Sequence, residues 1–186
     1  MGAVEPGPPT FTGSASGRAV LQHTVEIART VFDAYSASIL FLDEDTDELV
    51  FEAVAHPQEQ HLIGMRFPAG AGVAGWVLQS GQCMMVDDLS ANPAFSLETA
   101  RSTGHIPTCM MAAPIVGADG WMGVMEVIDR SDSFRGCLSD VTLLALLAEQ
   151  ASAAMESIVQ MHRLGAAARE PAAEVRPAPQ RPPQPQ

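Results

Sequence analysis

Residues 70–75 read Gly-Ala-Gly-Val-Ala-Gly, a literal G-x-G-x-x-G, and the residues around that string restrict the fold more than any other stretch. Alone, the string suggests a dinucleotide-binding turn. There the first glycine makes the tight turn, the second lets backbone approach a pyrophosphate, and the third allows close helix–strand packing. Such turns carry an acidic residue roughly 20 positions on, and Asp87 and Asp88 lie near that distance. The turn also needs an apolar central strand directly before it and parallel strands after it. Here Arg66 and Pro68 come before the glycines. After them, the apolar runs Thr108–Val116 and Trp121–Ile128 are joined by Gly117-Ala118-Asp119-Gly120, a hairpin turn. A hairpin pairs its strands antiparallel, so the dinucleotide reading is set aside.

The remaining periodicities agree with that choice. Val20 to Tyr35 places Val20, Leu21, Val25, Ile27, Ala28, Val31 and Phe32 near one helical face. Ser38–Leu42 and Leu49–Ala55 read as strands flanking an acidic turn at 43–48, and Leu62–Phe67 as a third strand that Pro68 ends. Val73–Gln79 is a short helix with Gly81 as its C-cap. Cys83–Val86 is another short strand, and Pro93–Ser102 a short helix stopped by Gly104. Ser139 is a good N-cap for a long helix to about Leu164, with Asp140 at its positive dipole end. Helices bracketing an antiparallel sheet of about six strands define an α+β fold.

Composition narrows the function. The 186-residue chain has room for one domain with a real core, and 47% hydrophobic residues mark it as globular. A net charge of -12 argues against a nucleic-acid or anionic-membrane surface. All ten basic residues are arginine, which removes lysine Schiff-base and P-loop chemistry and fits a GC-rich bacterial source. The start shows neither a basic nor an apolar signal region, and no run of 18 apolar residues occurs. Cys83, Cys109 and Cys137 are odd in number and lack C-x-x-C, as in a reduced cytoplasmic protein. Residues 1–16 read as a flexible leader, 17–164 as the folded unit and 165–186 as a disordered Pro/Ala/Gln-rich tail.

The extended string Phe67-Pro68-Ala69-Gly70-Ala71-Gly72-Val73-Ala74-Gly75-Trp76-Val77, with Gly81 beyond it, resembles the P-x-G-x-G-[IV]-x-G-x-[VA] signature of GAF domains. Cys83–Leu89, Asn92–Phe95, Thr103-Gly104 and the hairpin segments Met111–Ile115 and Gly123–Val127 are similar to that family's later elements, in order. The resemblance covers about residues 17–164. It implies a GAF/PAS-like sheet with terminal helices on one face and short helices and loops over a pocket on the other. It also implies a sensory or regulatory module without catalysis of its own, bound to a small molecule, a protein partner or both.

The resemblance implies pocket candidates at Val73, Ala74, Phe95, Thr103, His105, Cys109 and Glu126. In members that bind cyclic nucleotides, positions matching Val73, Ala74, Thr103 and Glu126 contact the ligand. The family's acidic helix residue is Ala100 here, and a further Thr is Pro107. The family's N-K…F-x-x-x-D-E pattern reads Asp129-Arg130…Phe134, with Asp140 arriving two residues late. Some members hold haem through a histidine near His105, and others reduce free methionine sulfoxide with paired thiols, for which Cys83 and Cys109 are the candidates. No metal-ligand spacing and no nucleophile motif occurs. The adjacent pairs Met84-Met85 and Met110-Met111 put one side chain on each strand face, as core or as a soft pocket wall.

The last helix carries Leu143, Leu144, Leu147, Ala151, Ala154, Met155, Ile158 and Met161 on a wide apolar stripe. With the first helix it suits a homodimer bundle, so an adaptor that dimerises and binds no ligand is a further alternative. Gly165 and the proline-rich tail end the helix, and the expectation is that any signal passes to a separate output protein such as a kinase, phosphatase or transcription regulator.

Overall fold

The computed structural model describes residues 14–93, 95–118, 120, 122–131 and 139–167. Phe134, Cys137, most of the leader and the tail from 168 lie outside the described residues. Helix α1 (Ala15–Val31) starts earlier than its apolar pattern, because Ser14 caps it by accepting from Gly17 N at 2.9 Å. Six strands follow in one antiparallel sheet: β1 (Ser36–Asp43), β2 (Glu48–Val54), β3 (Arg66–Pro68), β4 (Met84–Val86), β5 (Met110–Val116) and β6 (Met122–Ile128). Their spatial order is β3-β2-β1-β6-β5-β4. Between them lie α2 (Gly72–Ser80) and α3 (Leu97–Thr103), and α4 (Asp140–Ala167) closes the described chain.

The expected third strand at 62–67 is corrected. Pro57–Leu62 forms a 3-10 turn, and only Arg66–Pro68 pairs with β2. The reason is local: Pro57 suits a helical first position, and His56 caps the turn by accepting from Gln58 N. Helix α3 starts four residues later than the expected Pro93. The central proline of β5 is tolerated because β4 pairs only with residues 110–112, leaving Pro114 opposite β6 alone.

Alternation along the central strands divides the molecule into two faces. Ala37, Ile39, Phe41, Met111, Ala113, Ile115, Met125 and Val127 meet α1 and α4 through Leu21, Val25, Ala28, Phe32, Leu144, Ala148, Ala151 and Met155. The opposite face carries Leu40, Leu49, Phe51 and Val54 beside Leu62, and Ala112 and Val124 beside Val73 and Val77 of α2. A β-bulge breaks the β1–β2 register after Ile39, where Leu40 faces Phe51 and Ser38 faces Val54. The extra residue lets Phe51 and Val54, three apart, share one face. By length and composition α4 passes as a membrane-crossing helix over Asp140–Met161. In this fold its apolar side chains Leu144, Ala148, Ala151 and Met155 cover the sheet instead.

Candidate functional site

The glycine string builds one wall of a cavity of about 110 Å³ on the α2 side of the sheet. Gly72 sits at φ +69, where a Cβ is strained. Gly75 is pressed on the preceding loop: a Cβ there would stand 2.5 Å from Gly70 C and 2.7 Å from Ala69 O. This contact holds the first turn of α2 against the loop that precedes it, and Ala71, Gly72, Val73 and Ala74 line the cavity. Gly81, at φ +65, ends α2 as the sequence suggests.

The floor comes from β1, β2 and β6. Most of it is apolar, through Leu40, Leu49, Phe51 and Val54, but a polar patch crosses it. Ser36 and Ser38 of β1 lie opposite Ile128 and Glu126 of β6. The Ser38 hydroxyl donates to Glu126 Oε2 at 3.5 Å, a long contact. Glu126 is 8% exposed, and burial pushes its carboxyl up to about 7 against the opposing Ser38 contact. Ser36 is 2% exposed, and its hydroxyl has no hydrogen-bond partner among the described residues. Glu59, from the 3-10 turn, is a second buried acid in the same lining.

The remaining wall is α3 and the loop after it. Phe95, Ala100, Thr103, His105 and Pro107 all line the cavity. The Thr103 hydroxyl donates to the carbonyls of Ala100 and His105, at 2.8 and 3.2 Å. His105 Nε2 lies 2.6 Å from Asp129 Oδ2. Its ring stacks on Tyr35 at 3.9 Å, and the ring of His56 stacks on Tyr35 at 4.3 Å. Asp129, at φ +48, is the hub of this corner. Its Oδ1 accepts from Thr108 N, Thr108 Oγ1 and Cys109 N at 2.7, 2.8 and 3.2 Å. Burial alone would raise the Asp129 carboxyl, but the bonds from His105, Thr108 and Cys109 together hold it below the usual range.

Val73, Ala74, Phe95, Thr103, His105 and Glu126 therefore all line one cavity, while Cys109 does not. By strand alternation Met110 turns to the cavity and Met111 to the helices, which leaves Cys109 off the cavity side. Cys83 packs at the edge of the helix-side core, and burial pushes its thiol up. The expected pairing of the two thiols around one cavity is thus not what the fold builds, and neither offers a nucleophile there. Ser36, Ser38 and Glu59 escaped the sequence reading. They carry no motif, and only the register between β1 and β6 and the turn after β2 brings them to Glu126.

Residues 14–156 match the family model for the GAF domain. The chain belongs to the GAF domain family. That family comprises sensory and regulatory modules. The GAF domain of a phosphoenolpyruvate-protein phosphotransferase from Coxiella burnetii superposes with a TM-score of 0.66 at 17% identity, over 84% of this chain and 90% of that one. A free methionine-R-sulfoxide reductase from Neisseria meningitidis, solved with its substrate, gives a TM-score of 0.59 at 18% identity, over 83% of this chain and 84% of the other. At these identities the likeness is one of fold. A probable 3',5'-cyclic phosphodiesterase of Caenorhabditis elegans is 21% identical over 131 residues, 66% of this chain. The chain spans 18% of the length of that relative.

The cofactors considered from sequence fit this GAF cavity poorly. Haem needs far more than about 110 Å³, since pockets for drug-sized ligands run to roughly 300–1,000 Å³. The His105 Nε2 that would bind the iron already faces Asp129. A cyclic phosphate needs a cation or several donors, and no arginine lines the cavity among the described residues. The positions where other members carry polar groups are Ala100 and Pro107, both in the wall.

Proposed function

We propose that this GAF domain is a sensory or regulatory module that binds a small molecule in the cavity and relays its occupancy through α4 to a separate protein. One observation carries the reading: two strands that line the cavity, β5 and β6, are each tied to α4. β5 brings Met110 to the cavity. At its far end Val116 O accepts from the Ser152 hydroxyl, and Glu156 accepts from Ala118 N just beyond. β6 brings Glu126 to the cavity and runs into Asp129-Arg130, where Arg130 pairs with Asp140 at the start of α4, 3.0 Å away. A ligand that prefers one arrangement of β5 and β6 thereby acquires leverage on the start and the middle of the helix.

Native mass spectrometry of protein purified from its source cells, paired with amide hydrogen exchange, tests this. A co-purifying small molecule whose removal changes exchange in α4 is the expected result. Protein that carries no small molecule, or α4 exchange indifferent to its removal, contradicts the relay.

A further inference from the structure

We propose that the cavity takes a small organic cation: a primary ammonium group on a compact apolar body, seated on Ser36, Ser38 and Glu126. The inference rests on the reading of the cavity as a ligand site and adds the chemistry of the ligand.

The first ground is an unmet hydrogen-bonding demand. A buried hydroxyl without a partner costs free energy that a protein ordinarily avoids. Ser36 is such a hydroxyl among the described residues, and it lines the cavity. Ser36 and Ser38 are alternate residues of β1, so both face the same side, and Ser38 lies directly opposite Glu126. The result is a patch of two hydroxyls and a carboxyl on an otherwise apolar floor. Ser38, whose O–H already donates to Glu126, keeps only acceptor capacity, and Ser36 can turn its lone pairs to a ligand. An ammonium carries three donors and no acceptor, which matches two hydroxyl oxygens and one carboxylate.

The second ground is the sign of the charge. Among the described residues the acids in the lining are Glu59 and Glu126, and no arginine joins them. An anionic ligand would meet Glu59 and Glu126, while His105, the basic side chain in the described lining, already faces Asp129. An anion beside buried carboxyls without a free counter-charge is penalised in a low-dielectric site. A zwitterionic amino acid meets the same objection at its carboxylate. A cation instead pairs with Glu126, and the chain's net charge of -12 raises the local concentration of cations.

Size and shape complete the argument for an apolar body. The cavity is about 110 Å³ and open on one side, so a ring that a closed dry cavity of roughly 150 Å³ would hold entirely fits here with one edge toward the opening. Leu40, Phe51, Val54, Val73 and Phe95 surround the polar patch, so a body about the size of a benzyl or isopentyl group is the match.

Three probes of one shape separate the possibilities: benzylamine, benzyl alcohol and benzoate, titrated at neutral pH into protein labelled at its methionine methyls. Met110 lines the cavity and Met125 lies on the helix side, so the second is an internal control. Benzylamine is expected to shift Met110 saturably and leave Met125 in place. Benzyl alcohol should bind at least about tenfold more weakly, and benzoate should not bind. Glu126→Gln and Ser36→Ala should each weaken benzylamine by about tenfold or more while leaving benzyl alcohol unchanged. The two variants alter the site in different ways, so misfolding of one leaves the other as the test. Benzyl alcohol binding as tightly as benzylamine, or variants that bind benzylamine like wild type, overturns the cation while leaving a small-molecule site intact. No response of Met110 to any probe overturns the proposal, and a protein that also co-purifies without a small molecule removes the site reading with it.

Discussion

The two faces of the sheet are made from alternate residues of the same strands, yet they are finished differently. On the helix side Ile39, Met111, Met125 and Val127 meet Phe32, Leu144 and Met155 in an apolar core. On the other side their neighbours Ser36, Ser38, Met110 and Glu126 face a cavity. One face is optimised for burial. The other retains a hydroxyl without a partner and a carboxyl lifted to about 7, both of which oppose folding. The contrast supports the proposal that the cavity face is the functional one, because strain of this kind is tolerated where it serves binding.

The contrast can be broken most forcefully on the helix side. Phe32→Ala removes a fully buried ring beside Leu21 and Val25, and a loss of about 3–5 kcal/mol is expected in urea unfolding. A loss below about 1 kcal/mol would show that this face is not the structural core.

Glu126 sharpens the other side. Its carboxyl lies near 7 in the folded protein, against an ordinary value of 4.5. The folded state thus holds a proton that the unfolded state has released. Its contribution to stability is present in full below pH 4.5 and is lost as pH rises through about 7. The loss amounts to about 3 kcal/mol. Urea midpoints of wild type and Glu126→Gln should therefore diverge across this window and run parallel above it. Parallel behaviour throughout would mean that Glu126 is not desolvated.

At the corner between the faces, Asp129→Ala leaves Thr108 N, Cys109 N and His105 without their acceptor and keeps a Cβ at φ +48. A loss of about 2–3 kcal/mol is expected. Asp129→Asn, which tolerates that backbone and retains one acceptor oxygen, should lose less than half as much. Equal losses would show that charge, not geometry, holds this corner. Because its bonds hold the Asp129 carboxyl below the usual range, its contribution is present above the ordinary carboxylate range and disappears as pH falls through the lowered value.

These features were unequally legible in the sequence. The β5–β6 hairpin, the capped α4 and the Gly81 cap follow from local patterns, and they appear where the residues place them. The wall made by Val73 and Ala74 was legible for the same reason, since a glycine string before a short helix is a local signal. β1 is buried along Ser36–Phe41 on both faces, so no alternation in the sequence reveals which side Ser36 and Ser38 take. Glu59 was assigned to a connection before an expected strand, and only the 3-10 turn carries it inward. Asp129 looked like a departure from a family pattern, whereas its role depends on groups 20 to 24 residues away. Local chemistry was readable, and cross-strand chemistry was not.

The smallest expected effect is the most direct test. Ser36→Ala deletes the hydroxyl that has no partner, so the free protein should become more stable by about 1 kcal/mol in urea unfolding. The same variant should lose the response of Met110 to benzylamine. A gain in stability together with a loss of binding is the result expected of a residue kept for a ligand. A clear loss of stability, or unchanged binding, would contradict the assignment of the cavity face as the site.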